Sequence, residues 1–338
     1  MDVTAAGAEP VNSSVAHGQA GGVPRVGILL PTFDAVRSGE PAPIVAAAQL
    51  AEELEFDAAW VGDHLACPAP GLDAPSCLAA AAAVTRRIGL GFSVMLLGLR
   101  QPAWAAKQLA TIDILSGGRL RLGVGVGGEF PEEFMAAGVP LNQRGARLDD
   151  ALNVIGDLLT GRPVDYEGRF VSVTSPALEP ALARRPPIYV GGRGEAALKR
   201  AARHGDMWLP MWLTPERIAE RSRLLAEHAE REGRPTPGTA LLIGVNVDDD
   251  LARARAQASA HVRGQYRMGL DAVERWTLLG SIDGAVEQLD AYRQAGVQEF
   301  LLMPLGREPL IQYERLAEVR LRLHAGLMRP SAPAEARG

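Results

Sequence analysis

A histidine, two carboxylates and two glycine-rich turns carry the chemistry that this sequence offers. Trp60-Val61-Gly62-Asp63-His64 closes a short apolar run. An imidazole in that place can donate a hydrogen bond or a proton to a bound ring. The alternative is an ordinary loop histidine hydrogen-bonded to Asp63. Glu129 follows Gly125, Gly127 and Gly128, where a carboxylate can act as general acid or base. The alternative there is a first-turn acid favoured by the dipole of a helix that holds Glu132 and Glu133. Gly191-Gly192-Arg193-Gly194 closes another apolar run and opens a helix. Glycine amides at a helix N-terminus, together with a guanidinium, suit a phosphate. A tight turn with a solvated arginine reads equally well from the same residues. The amides near Gly125 and Gly127 can also approach an anion closely. Trp104, Trp208 and Trp212 can line an aromatic pocket or fill the core.

Other chemistries fail on content. Gly123–Gly128 is not a dinucleotide fingerprint, because Phe130-Pro131 interrupts it and no acid-ended strand follows about 20 residues on. There is no G-x-S-x-G elbow, no P-loop and no H-E-x-x-H, and the six histidines do not cluster as metal ligands, so no metal is expected. Cys67 and Cys77 match no zinc spacing and read as free thiols in a reducing cytoplasm. The net charge of −5 gives no electrostatic case for nucleic acid. No apolar run of about 18 residues offers a membrane span. Residues 1–24 lack the basic and apolar regions of a signal peptide and read as a flexible tail, as do residues 329–338.

The elements that must position these residues alternate. Eight runs read as strands: Arg25–Leu30, Ala58–Gly62, Ile88–Val94, Leu120–Val126, Pro187–Gly191, Met207–Met211, Ala240–Val247 and Glu299–Met303. Most are apolar on both faces, the pattern of strands buried in a parallel sheet. Helical spacing fills the gaps, over Pro43–Leu54, Ala74–Thr85, Pro102–Leu115, Arg144–Leu159 and Glu195–His204. Thr214 reads as an N-cap with Pro215 at the first helical position, and Ser281 caps a helix that Gly296 ends. The pattern predicts one α/β domain over residues 25–328, a (β/α)8 TIM barrel with insertions after strands 4 and 7. A doubly wound open sheet is the runner-up. The first insertion, Phe130–Arg185, should hold two helices and a hairpin, Val164–Tyr166 with Phe170–Val173, turning at Glu167-Gly168. The second, Asp248–Gly280, carries His261, Tyr266, Met268 and Trp276. Such insertions at strand C-termini usually build the substrate pocket.

Several longer pieces together resemble the luciferase-like superfamily of flavin and deazaflavin (coenzyme F420) oxidoreductases. They include Gln101-Pro102, Ala106-Lys107-Gln108, Leu115-Ser116-Gly117-Gly118-Arg119-Leu120, Leu122-Gly123-Val124-Gly125-Val126-Gly127, Glu132-Glu133-Phe134, Arg144-Gly145-Ala146-Arg147-Leu148-Asp149 and Pro187-Ile188-Tyr189-Val190-Gly191-Gly192. The resemblance spans about Val26 to Leu327. It implies a TIM barrel with a flavin-type ring at its C-terminal mouth. The ring's phosphate would lie near Gly191, Gly192 and Arg193, helped by amides near Gly125 and Gly127. It also implies a non-prolyl cis peptide behind the ring, which counting back from Pro102 places at Ser93–Val94. Asp63-His64 is similar to an Asp-His pair of F420 members, and Glu129 to a glutamate near their ring, with the register offset by one residue. On this resemblance His64 would donate a proton or stabilise an oxyanion, with Asp63 beside it and Glu129 as a second acid. The favoured reaction is hydride transfer between F420 and a small organic substrate. The first alternative is an FMN-dependent monooxygenase using O2 through a flavin C4a-peroxide, which would need a flavin reductase as partner. The second is a non-catalytic flavin-binding protein on the same barrel. Dimers are common in such families, and no interface for a homodimer is legible here.

Overall fold

The computed structural model describes residues 22–33, 43–306 and 308–328; of the two expected tails, residues 1–21 and 329–338 lie outside the described residues. Eleven strands occur among the described residues: β1 (Arg25–Leu29), β2 (Ala58–Val61), β3 (Gly89–Phe92), β4 (Leu120–Val124), β5 (Val164–Glu167), β6 (Ser172–Ser175), β7 (Ile188–Gly191), β8 (Met207–Leu209), β9 (Gly238–Val247), β10 (Leu278–Gly280) and β11 (Glu299–Pro304). The helices are α1 (Ile44–Glu53), α2 (Ala74–Val84), α3 (Pro102–Ser116), α4 (Pro131–Ala136), α5 (Arg144–Leu159), α6 (Glu195–His204), α7 (Pro215–Arg231), α8 (Leu251–Tyr266), α9 (Ile282–Gln294) and α10 (Pro309–Met328).

Parallel pairing runs β9-β11-β1-β2-β3-β4-β7-β8, and a β8–β9 pairing closes the ring. The fold is therefore a (β/α)8 TIM barrel, and the open sheet is excluded by that last pairing. Strands β2, β3, β7 and β11 are buried at every residue, because the helices cover one face and the packed interior the other. Trp60 fills the interior beside Tyr189, their rings 5.1 Å apart and edge to face. The neighbouring strands make room for it with glycine: a Cβ at Gly91 would lie 2.2 Å from the Trp60 ring, and one at Gly27 would lie 2.5 Å from its Nε1.

The helix boundaries follow local chemistry. Pro102 opens α3, and Gly117 and Gly118 end it at φ +71° and +83°, a backbone that favours glycine. Thr214 accepts from the Arg217 amide at 3.5 Å to cap α7, and Ser281 accepts from Gly284 at 3.2 Å to cap α9.

Several boundaries differ from the expectation, among them β8, which stops at Leu209 rather than Met211, and β9, which starts at Gly238 rather than Ala240. Strand β3 stops at Phe92 rather than Val94, because the chain turns at a cis Ser93–Val94 peptide. Strand β4 stops at Val124, where the glycine run leaves the sheet. The second strand of the hairpin is Ser172–Ser175, two residues later than expected. The Asp150 carboxylate captures the amides of Arg169, Phe170 and Val171, at 3.2, 2.8 and 3.1 Å, so that turn cannot join the ladder. The three-residue β10, not read from the sequence, pairs with the C-terminal half of β9, Leu278 opposite Val245 and Gly280 opposite Val247. Between β4 and β7 the chain makes α4, α5 and the β5–β6 hairpin; after β9 it makes α8 and β10.

Among the described residues no helix is long and apolar enough to cross a membrane, and no group of His, Cys, Asp and Glu could hold a metal ion. Cys67 and Cys77 form no disulfide among the described residues, and burial pushes the Cys77 thiol up to about 11.

Candidate active site

One cavity of about 240 Å³ opens at the C-terminal end of the barrel strands. Asp63 and His64 border it just after β2, Ser93 and Val94 just after β3, and Gly125, Gly127 and Glu129 just after β4. Gly191, Gly192 and Arg193 reach it from the end of β7. The structure thus brings together the ten residues expected to act on or bind a flavin-type ring. Leu209, Met211, Trp212 and Leu242 complete an apolar wall, and α8 delivers Tyr266.

Val94 is the floor of this cavity, and glycines make its place. A Cβ at Gly125 would lie 2.3 Å from Val94 Cγ2, and one at Gly191 would lie 3.1 Å from its Cγ1. Gly123 is equally constrained, since a Cβ there would lie 1.9 Å from the Phe92 carbonyl. Side chains at these positions would push Val94 into the cavity. Ser93, 8% exposed, borders the cavity with its Oγ lacking any hydrogen-bond partner.

His64 does not pair with Asp63. Arg100 holds both Asp63 oxygens, Nη1 to Oδ2 at 2.8 Å and Nη2 to Oδ1 at 3.0 Å, and the Leu96 amide donates to Oδ2 at 2.9 Å. Asp63 therefore ties the end of β2 to the segment after β3, a correction to its expected place beside the imidazole. The partner of His64 is Glu133, with Nδ1 to Oε2 3.1 Å. Phe33 and Phe130 flank the ring, with centroids at 5.6 and 5.0 Å. Glu133 was passed over in the sequence as one of two first-turn acids of a helix. Its one signal is spacing: it stands three residues after Phe130, the N-cap of α4, and both are buried.

The other candidates have distinct surroundings. Glu129 is exposed at the rim. The Gly192 amide bonds the Leu209 carbonyl at 3.3 Å, and the Gly192 carbonyl accepts the Trp208 indole at 2.7 Å. Gly192 thus shapes the turn, at φ +117°, rather than offering a free amide. The free donors lie one turn on: no side chain caps α6, whose N-cap is Gly194. The first-turn acid of α6, Glu195, is engaged by Lys199 at 2.7 Å. The Arg193 guanidinium sits 5.4 Å from the centre of the Trp212 ring, and Tyr266 meets that ring edge-on at 5.6 Å. Burial, with Glu129 and Cys67 nearby, pushes the Tyr266 phenol above its usual range, so it remains a donor at neutral pH. Of the three candidate tryptophans only Trp212 lines the cavity; Trp208 is core, and Trp104 is 74% exposed on α3.

The chain is similar to several known proteins. An uncharacterized protein of Mycobacterium tuberculosis is 31% identical over 219 residues, 63% of this chain and 75% of its own length. The F420-dependent glucose-6-phosphate dehydrogenase of Nocardia farcinica is 28% identical over 303 residues, 79% of this chain and 89% of its own. Among solved structures, an F420-dependent secondary alcohol dehydrogenase in complex with an F420-acetone adduct superposes with a TM-score of 0.78 at 20% identity, covering 89% of this chain and 99% of that one. The monooxygenase RslO1 from Streptomyces bottropensis superposes with a TM-score of 0.74 at 26% identity, covering 90% and 98%. The sequence profile of the luciferase-like monooxygenases matches residues 25–299. The chain belongs to the luciferase-like monooxygenase family and is an oxidoreductase.

Proposed function

We propose that this oxidoreductase binds coenzyme F420 at the barrel mouth and exchanges a hydride with a small, uncharged organic substrate. The observation that carries the reading is the convergence of His64, Glu129, the unpartnered Ser93 hydroxyl and the Val94 floor on one cavity. These residues fit a flat ring with polar edges: Val94 would offer it an apolar surface, and Ser93 Oγ a hydrogen bond. F420-dependent relatives over 79% of the chain favour the deazaflavin over FMN.

When bound, the deazaflavin supplies hydride transfer at its C5. The chain supplies position and proton control. Arg193 and the uncapped first turn of α6 hold the phosphate. His64 takes the proton from a substrate hydroxyl, or returns it to a carbonyl in the reverse direction. Glu129 at the rim is the second acid, and Tyr266 donates a hydrogen bond. Leu209, Met211, Trp212 and Leu242 exclude water around the substrate. Among the described residues Arg193 is the one cationic side chain bordering the cavity. With Arg193 assigned to the cofactor, no second cation is left for a phosphorylated substrate, which is why an uncharged one is favoured over glucose 6-phosphate.

The second reading is an oxygen-using monooxygenase, favoured by the similarity to RslO1. Anaerobic incubation with oxidised F420 and a panel of secondary alcohols decides between them. The expected result is loss of the oxidised cofactor's absorbance with uncharged alcohols and none with glucose 6-phosphate. Oxygen consumption by the protein with reduced FMN, and no F420 reduction by any alcohol, would replace this reading with the second.

A further inference from the structure

We propose that Glu133 is the positioning residue for His64: it keeps the proton on Nδ1 and so presents Nε2 to the ligand. A neutral imidazole carries one proton, and the hydrogen bond at one nitrogen decides which nitrogen remains an acceptor. A carboxylate can only accept. With Glu133 Oε2 3.1 Å from Nδ1, the proton belongs on Nδ1. The same Oε2 also accepts from the Leu65 amide, at 3.3 Å, which fixes the carboxylate against the residue that follows His64.

The geometry excludes the other acid near His64 in the chain, since Asp63 is held by Arg100 and the Leu96 amide. The contact is also well defined in space. Glu133 is fully buried on α4, the His64 side chain is 16% exposed, and Phe33 and Phe130 limit how the ring can turn. Glu133 Oε1 has no partner. The buried acid is thus aimed at one nitrogen and one amide. That is the base-and-orienter arrangement in which a third group sets the tautomer of a working histidine. The sequence separation of 69 residues means that α4 must pack onto the end of β2 before the pair exists.

The inference rests on reading His64 as the acid–base group, but its test needs no cofactor. Long-range proton–nitrogen correlation on protein labelled with 15N-histidine reports which ring nitrogen is protonated, with His64 identified by its loss in His64→Gln. In the wild-type protein, at a pH where the ring is neutral, His64 should be the Nδ1–H tautomer. In Glu133→Gln, whose amide can donate to Nδ1 as well as accept from it, the Nε2–H form should appear. A wild-type ring protonated on Nε2, or a tautomer unchanged by Glu133→Gln, overturns the assignment. A variant that does not fold leaves the wild-type measurement decisive. With an active cofactor and substrate in hand, Glu133→Gln should lower kcat by about 10-fold to 100-fold with KM within about 2-fold. A purely structural role would instead lower thermal stability and leave the tautomer alone. If F420 chemistry fails altogether, the tautomer result still stands, so the two failures are distinguishable.

Discussion

His64→Ala should lose at least about a hundredfold in turnover while the fold and the affinity for cofactor remain. A positioned general acid or base contributes roughly 10²–10⁴ in rate. His64 is well placed to be one: it follows the end of β2, borders the cavity and has Nδ1 engaged by Glu133. Its contribution to folding is small by comparison, since the side chain is part-exposed and its ring is held by Glu133 through Nδ1. Steady-state kinetics with an alcohol that reduces F420 in the anaerobic panel, beside thermal melting of both proteins, separates the two. Turnover near the wild-type rate would remove His64 from the chemistry. A collapsed melting temperature would make it structural instead.

The opposite outcome is expected at the other end of the barrel. Glu299 opens β11 and is fully buried. It pairs with Arg25 at 2.8 Å and Arg121 at 2.5 Å, and accepts from the Tyr189 hydroxyl at 2.9 Å. Burial disfavours its charge, but the two guanidinium groups and the phenol outweigh that and hold its carboxyl below the usual range. Glu299→Gln leaves both arginines without their counter-charge and should cost about 3–5 kcal/mol. Melting temperature should fall by on the order of 10 °C, while turnover at low temperature is retained. The pH dependence follows from the direction of the shift. A depressed folded value means that the contribution is complete above the unfolded carboxylate value of about 4.3, and is lost as pH falls through the lower folded value. Wild-type stability should therefore drop steeply under acid conditions, and the drop should be shallower in Glu299→Gln. An equal acid profile in both proteins would mean that the pair contributes nothing.

The barrel was legible because its signals are local. Strands buried on both faces read as unbroken apolar runs, and caps such as Thr214 and Ser281 announce their helices within four residues. The ends of strands were less legible, since what stops them is distant. Val94 leaves β3 because Gly125 and Gly191 provide its place, and the hairpin register is set by Asp150 on α5. The three-residue β10 has no pattern of its own apart from β9. The candidate site was legible as residue types at strand ends, together with the family resemblance. Its pairings were not: His64 with Glu133 and Asp63 with Arg100 join segments 69 and 37 residues apart. Trp104, whose type suggests a pocket or core, lies exposed on α3, which spacing alone does not reveal.

The central claim is that the cavity over Val94 holds the deazaflavin. Its most direct test is an anaerobic fluorescence titration of oxidised F420 into the wild-type protein and into Gly125→Ala. The added Cβ would stand 2.3 Å from Val94 Cγ2, and Gly191 on the far side leaves Val94 little room to retreat except into the cavity. The account predicts saturable binding at one site in the wild type, binding of FMN weaker by at least about tenfold, and a loss of at least about tenfold in F420 affinity in a folded Gly125→Ala, that is about 1.4 kcal/mol or more. Absence of F420 binding to the wild-type protein, or equal affinity in Gly125→Ala, would contradict it.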